Sequence, residues 1–288
     1  TTPGSEWGVC RFPRPLYARI RAQSTLKSLT RPYAPLGSVV GRCPAPMFQS
    51  WGCSVHMTTT RDDDAVSVIY AAARAGHLDV VQMLHGFGAQ IHAPAVDGST
   101  PLLAASKQGH MAVVRWLMAN GCDVHTADKE GRTATWLAAS TGKLDVVELL
   151  TDGTGANIDQ IDKDGVSCCQ IAAQRGHVEM VALLQGWGAD IHAIDKRGRN
   201  ALWCACEHGH LDVCRTLRKC GAEIVVDDEG LSPVWAASTR GHLPIVRQLN
   251  EWRADLQSAQ GLGPRLRRPL VQAYLNDDLA MVDCLRGF

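Results

Sequence analysis

Residues 97–124 decide the fold, and they read DGSTPLLAASKQGHMAVVRWLMANGCDV. Asp97-Gly98 is typical of a tight turn, because glycine adopts positive φ without strain. Thr100-Pro101 is typical of a helix start, with a hydroxyl cap followed by proline at the first helical position. The small residues that follow permit close packing against a neighbouring helix. This half of the stretch therefore predicts a turn and a short helix.

The second half of the stretch predicts another helix. Gly109 ends the first helix, and Gly121 supplies a left-handed residue that ends the second. Between them, four apolar residues form one stripe at helical spacing, Val113, Val114, Leu117 and Met118. One helix pair cannot bury this stripe alone, so further pairs are expected to stack on it.

The same pattern recurs along the chain. A Gly-His step begins at Gly76, Gly109, Gly176, Gly209 and Gly241, with Gly142-Lys143 filling the gap, at spacings of 33, 33, 34, 33 and 32 residues. A second marker keeps this period, a glycine that closes a charged turn at Gly98, Gly131, Gly165, Gly198 and Gly230. A period of 32 to 34 residues in two independent markers indicates a solenoid of helix pairs.

The repeated unit resembles the ankyrin repeat, whose pattern runs D-x-x-G-x-T-P-L-H-x-A-A-x-x-G-H-x-x-V-V-x-L-L-x-x-G-A. The resemblance covers residues 62 to about 256, and a degenerate unit, PLVQAYLNDDLAMVDCL, continues to the C-terminus. It implies an all-α solenoid of about seven helix-turn-helix units with short hairpin fingers. It divides the chain into an extended arm, residues 1–60, and a repeat domain, residues 61–288, that ends in a capping repeat.

One departure from the pattern concerns the histidine that usually follows Thr-Pro-Leu. Its place is taken by Tyr70, Leu103, Trp136, Gln170, Trp203 and Trp235. We therefore expect the histidine hydrogen-bond relay between neighbouring turns to be absent, and aromatic packing to replace it.

Composition excludes several classes of function. Basic and acidic residues are equal at 29 each, so net charge gives no reason to expect a nucleic-acid or membrane partner. There is no apolar run of transmembrane length and no secretory signal. Eleven cysteines are too few for a disulfide scaffold in 288 residues, which indicates a reducing compartment.

A metal site at CACEHGH is disfavoured by its spacing. Side chains two residues apart on a helix point in opposed directions, so Cys204, Cys206, His208 and His210 do not converge on one ion. The repeat register instead predicts that Cys204 and Cys206 are buried core residues. No nucleophile elbow, phosphate-binding loop or zinc-protease signature occurs, so we expect no catalytic residues, metal, cofactor or small-molecule substrate.

The arm differs electrostatically from the repeats. Residues 1–60 have seven basic residues and one acid, a net charge of +6, whereas residues 61–288 carry −6. Their Pro-, Ser- and Arg-rich composition cannot close a core and resembles an organellar transit segment. We favour a docking arm over a loose leader, with docking residues Arg11, Arg14, Arg19, Arg21, Lys27 and Arg31. An organelle, plastid or mitochondrion, is favoured over the cytosol.

The resemblance places partner binding on a concave face of finger tips and first-helix ends. The expected finger residues are Asp97, Ser99, Lys129, Glu130, Arg132, Lys163, Asp164, Lys196, Arg197, Arg199, Asp228 and Glu229. The expected helix-end residues are Lys107, Gln174, Arg175, Glu207, His208 and Arg240. Mixed charge suits one or more protein partners better than a polyanion. Two hypotheses remain: a non-catalytic scaffold that is a subunit of a larger complex, and a free cytosolic adaptor that captures a signalling partner.

Overall fold

The computed structural model describes residues 58–59, 66–152, 155–252 and 279–286. Two short strands, β1 (Thr58–Thr59) and β2 (Val66–Ser67), pair in antiparallel register in front of the first helix. Most of the predicted arm lies outside the described residues, so its boundary at residue 60 stays a prediction.

The described residues otherwise form helices in consecutive pairs, each joined by a glycine-containing break. The first three pairs are α1 (Val68–Ala75) and α2 (Leu78–Gly86), α3 (Pro101–Gln108) and α4 (Met111–Ala119), and α5 (Ala134–Ser140) and α6 (Leu144–Thr151). The next three are α7 (Cys168–Arg175) and α8 (Val178–Gly186), α9 (Ala201–His208) and α10 (Leu211–Lys219), and α11 (Pro233–Thr239) and α12 (Leu243–Glu251). The all-α repeat architecture is thus confirmed.

A last helix, α13 (Leu279–Arg286), packs against α12. It corresponds to the second helix of the predicted degenerate unit, and Met281 and Val282 are buried. The first helix of that unit lies outside the described residues.

Each first helix begins at a polar cap. The side chains of Ser67, Thr100, Thr133, Ser167, Asn200 and Ser232 accept a hydrogen bond from the backbone N–H three residues later. At α7 the cap is reciprocal, because the Gln170 side chain accepts from the Ser167 backbone. These caps satisfy N–H groups that a helix start leaves without partners.

The core is one continuous seam. First helices pack on first helices of adjacent units, and second helices pack on second helices. The predicted stripe is confirmed, since Val113, Val114 and Leu117 are fully buried and Met118 is half-buried against the core. Small residues allow the first helices to approach closely, and Ala105, Ala138 and several equivalents are fully buried.

The cysteines belong to this core. Cys204 and Cys206 are buried, as predicted, and the Cys206 and Cys214 sulfurs lie 3.6 Å apart. Burial raises the pKa of the Cys204 thiol to about 12, so the thiol stays protonated and is a poor nucleophile near neutral pH. Within the described ranges, no cluster of three or more His, Cys, Asp or Glu side chains could hold a metal ion.

Candidate partner-binding face

An aspartate holds four of the five finger turns, and Ala95 has its position in the first finger. In the finger at 128–132, Asp128 Oδ1 accepts hydrogen bonds from the backbone N–H groups of Glu130 and Arg132, both at 2.9 Å. The Gly131 N–H donates to the Asp128 carbonyl, and Gly131 has a φ of +79°. Asp162, Asp195 and Asp227 act in the same way in their own fingers. The tips are therefore rigid turns.

Backbone hydrogen bonds join each finger to the next. The donors are the N–H groups of Lys129, Lys163, Lys196 and Asp228, and the acceptors are the carbonyls of Asp97, Glu130, Asp164 and Arg197, respectively, at 2.8–3.0 Å. A Cβ on Gly98 would lie 2.9 Å from the Lys129 nitrogen, so glycine permits this close approach. The five fingers are thus fixed in register as one row.

A second series of cross-unit bonds comes from the Gly-His steps. His110, His177, His210 and His242 each place Nε2 3.0–3.3 Å from a first-helix carbonyl of the preceding unit, at Arg74, Ser140, Gln174 and Glu207. Where Lys143 replaces histidine, the Thr141 hydroxyl donates to the Lys107 carbonyl at 2.9 Å. These histidines therefore have a structural role, and the link is kept where histidine is missing.

The prediction that the relay between neighbouring turns is absent was wrong at three of the six positions. Trp136 Nε1 donates to the Val166 carbonyl at 3.0 Å, and Trp203 Nε1 donates to the Leu231 carbonyl at 3.3 Å. The Gln170 side-chain amide makes the equivalent bond to the Arg199 carbonyl. Indole and amide N–H groups thus replace the imidazole donor, while the buried tryptophan rings also fill the core.

Replacing Trp203 with phenylalanine tests this substitute relay. The variant keeps most of the ring but leaves the Leu231 carbonyl without its donor, so we expect a loss of about 1 kcal/mol in the free energy of unfolding. Urea denaturation measures the loss. The control is Trp187→Phe at an exposed position, which should leave stability unchanged. Equal losses in both variants would contradict the relay.

Two arginines predicted to face a partner instead bind their own fingers. The Arg132 guanidinium contacts Asp128 Oδ2 at 2.7–2.8 Å, and Arg199 contacts Asp195 in the same way. Each guanidinium also lies over a tryptophan ring, 6.0 Å from the centroid of Trp136 and 5.1 Å from that of Trp203. The signal missed in the sequence is Asp, Arg and Trp at i, i+4 and i+8, which occurs in both fingers.

Glu207 is the centre of a network on the first-helix ends. Its carboxylate lies 3.3 Å from Arg199 Nη1 and 3.0 Å from Arg240 Nη2. His208 lies beside it, with Nε2 3.2 Å from the Gln174 amide nitrogen. Five residues predicted separately are therefore brought together across three units.

The remaining predicted residues divide by exposure. Ser99 is buried, and its hydroxyl donates to Asp97 Oδ2 at 2.8 Å, so it supports its own finger. The exposed residues are Asp97, Lys107, Lys129, Glu130, Lys163, Asp164, Arg175, Lys196, Arg197, Asp228 and Glu229. The arm residues Arg11, Arg14, Arg19, Arg21, Lys27 and Arg31 lie outside the described residues.

Grooves run between the fingers and the first helices. One of about 230 Å³ is lined by Tyr70, Arg74, Asp97 and Lys107, among others. A second, of about 370 Å³, contains Asp162, Asp164, Gln174, Lys196, Arg197 and the Glu207 network. A third, of about 540 Å³, continues to Asp228 and Glu229. The second and third share Lys196, Arg197, Arg199 and Glu207, so they form one continuous groove.

Asp162 distinguishes the middle of this groove. Val166 occupies the position that Arg132 and Arg199 have in their fingers, so Asp162 has no ion-pair partner among the described residues. Burial raises the pKa of the Asp162 carboxyl, against the lowering effect of its hydrogen bonds from the Val166 and Asp164 backbone. Its second carboxylate oxygen is available to a cationic group of a partner.

The family model for ankyrin repeats (3 copies) matches residues 68–162 and 169–260. The chain belongs to the ankyrin-repeat family. A search of curated proteins found no significant match.

Ankyrin repeats are protein-protein interaction modules and in general are non-catalytic. Membership of the family therefore indicates that this chain is a protein-protein interaction domain. Every helix within the described residues is too short or too polar to span a lipid bilayer.

Trp187 is an exposed tryptophan that lies outside the grooves. Trp136 and Trp203 are buried, whereas Trp187 is 40% exposed at the end of α8. It lies beside Glu148, Thr151 and Ile158, away from the grooves. Trp187 is therefore not a contact of the concave face, although exposed tryptophan often anchors protein interfaces.

Proposed function

We propose that this chain is a non-catalytic scaffold that binds protein through its concave face, as a structural or assembly subunit of a larger complex. The observation that carries the proposal is the bonded row of fingers. Their exposed side chains project from turns held in fixed register, so a partner meets a surface that is already ordered. Such preorganisation reduces the entropy lost on binding.

The charge pattern of the face supports a protein partner of mixed charge. Lys129 alternates with Glu130 and Lys163 with Asp164, followed by a basic tip at Lys196-Arg197 and an acidic tip at Asp228-Glu229. A polyanion would be repelled by the acidic tips, whereas a protein can present charges of both signs. The arm, whose composition resembles a transit segment, supports an organellar location for the complex.

The test compares full-length chains used as bait in cell extract. Lys196→Glu/Arg197→Glu reverses two exposed charges in the groove. The matched control, Arg115→Glu/Lys219→Glu, makes the same charge change at exposed positions on second helices. We expect proteins bound by the wild type and by the control to be reduced at least about tenfold with the groove variant, which corresponds to about 1.4 kcal/mol. Equal recovery with both variants would contradict the groove as the binding surface.

Size-exclusion chromatography of the extract tests the subunit role. A subunit should elute with a large assembly that includes the recovered proteins. Elution largely alone, with the groove still active, would favour the free adaptor. Turnover of any small molecule by the purified chain would contradict the non-catalytic assignment.

A further inference from the structure

Exposed apolar side chains recur at one register position of the fingers. Three large aliphatic residues with this position are exposed by 44–60%, Ile161, Ile194 and Val226, and each immediately precedes the turn aspartate of its finger. The exposed Pro94 and Ala127 have the same position in the other two fingers, whereas the exposed Val96 lies two residues further on, at the position of Lys129. Pro94, Ala127, Ile161, Ile194 and Val226, here called the aliphatic row, place one apolar group beside every finger outside the grooves described above. An aliphatic group repeated at an exposed register position is not required by the turn, the cap or the core.

Acidic residues accompany the aliphatic row. The outer segments, which connect each second helix to its finger, are residues 89–96, 122–127, 156–161, 189–194 and 222–226. They contain four exposed acids, Asp123, Asp159, Asp190 and Glu223, and no lysine or arginine. None of the four has an ion-pair partner among the described residues, although Asp123, Asp159 and Asp190 accept backbone hydrogen bonds. The outer segments are therefore apolar and acidic together.

One segment of the same chain has the complementary composition. Residues 9–21 read VCRFPRPLYARIR, with four arginines and no acid, and with apolar residues between the arginines. The whole arm carries +6 and the rest of the chain −6. Arginine forms bidentate bonds with carboxylates, and apolar side chains bury against aliphatic ones. The finger tips, in contrast, carry basic residues such as Lys129, Lys163 and Lys196 beside their acids, so they are less complementary to this segment than the outer segments are.

The lengths also agree. Thirteen extended residues span about 43 Å at about 3.3 Å per residue. The aliphatic row extends over four steps between adjacent units, and packed helices lie about 8–10 Å apart, which gives about 32–40 Å. The chain returns to the first unit at Thr58–Thr59, which pairs with Val66–Ser67. The residues between position 21 and that pairing are long enough, at about 120 Å when extended, to reach any finger.

We propose that residues 9–21 bind along the aliphatic row and outer segments of the same chain, with their apolar side chains on the row and their arginines paired with Asp123, Asp159, Asp190 and Glu223. This surface is separate from the concave groove, and the inference does not depend on the proposed function. The arm then leaves the groove open to a partner. It also removes an exposed apolar row that would otherwise be an aggregation risk.

Isoleucine methyl NMR on the full-length chain tests this contact directly, because Ile161 and Ile194 belong to the row. The variant Arg11→Glu/Arg19→Glu/Arg21→Glu should shift both methyl signals relative to the wild type. The matched control, Lys27→Glu/Arg31→Glu/Arg42→Glu, should leave them in place. The buried residues Ile69, Ile171 and Ile245 serve as internal references and should not move in either variant.

Four outcomes would count against the proposal. Unchanged Ile161 and Ile194 signals in the first variant would mean that the segment does not contact the row. Equal shifts in the control variant would mean that the signals respond to the overall charge of the arm and not to a contact made by residues 9–21. Wild-type signals that move on dilution would assign the contact to the arm of a second copy. The reciprocal variant, Asp159→Lys/Asp190→Lys, should reproduce at Ile161 and Ile194 the shifts caused by the arm variant, while the Ile69 signal stays in place. Its failure to do so would contradict the arginine-carboxylate pairing.

Discussion

Replacing Asp195 with alanine is expected to lower the free energy of unfolding by about 3–5 kcal/mol, the usual cost of removing one partner of a buried ion pair. The Asp195 side chain is almost fully buried, and it accepts two backbone N–H bonds in addition to the Arg199 guanidinium. Its loss removes the closest carboxylate partner of Arg199, which keeps Glu207 and the Trp203 ring, and leaves the finger turn without its central acceptor. Urea denaturation of the full chain measures the change.

Asp162→Ala is the matched control for this prediction. Asp162 accepts the same two backbone bonds, but Val166 replaces the arginine. We expect a loss of about 1–2 kcal/mol, because only hydrogen bonds to a carboxylate are removed. Equal losses at the two positions would show that the Asp195-Arg199 pair adds nothing to the turn.

Gly176→Ala is expected to cost about 2–3 kcal/mol. Gly176 ends α7 with a φ of +80°, a conformation that costs a residue with a Cβ about 1–2 kcal/mol. A Cβ there would also lie 2.6 Å from Nδ1 of His210, so the ring must move away from the Gln174 carbonyl that it contacts. The lost hydrogen bond adds about 1 kcal/mol.

The control for this glycine is Gly221→Ala. Gly221 has a φ of +91°, but a Cβ at that position meets nothing within 4 Å. Only the backbone cost of about 1–2 kcal/mol should appear. In the double variant Gly176→Ala/His210→Ala the added methyl meets no ring, so the two losses should be less than additive. Strict additivity would indicate that the histidine does not restrict this glycine.

The fold could be predicted from the sequence because its determinants are local. Thr100-Pro101 specifies a cap, Gly109 specifies a break, and the stripe from Val113 to Leu117 specifies a buried face. Each of these depends on residues within one unit. Repetition at a constant period then predicts the stacking.

The contacts between units could not be predicted in the same way. A tryptophan at the histidine position looks like a packing residue, and only the stacked geometry brings the Trp203 indole N–H to the Leu231 carbonyl. Register likewise placed Arg132, Arg199 and Ser99 on the fingers but did not tell which way their side chains turn. The arginines fold back on Asp128 and Asp195. The Asp-Arg-Trp spacing in both fingers is the sequence signal that could have indicated this direction.

The direction of the cross-unit bonds gives the stack a polarity. Backbone and histidine donors always belong to the later unit, whereas the Trp136, Gln170 and Trp203 donors always belong to the earlier one. In the last described pair, Trp235 Nε1 is buried without an acceptor among the described residues. A chain shortened from its C-terminal side would therefore leave indole and amide donors without their acceptors, whereas one shortened from its N-terminal side would leave histidine and backbone donors without theirs. The two ends of the array are thus chemically unlike, because different donor groups face outward at each end.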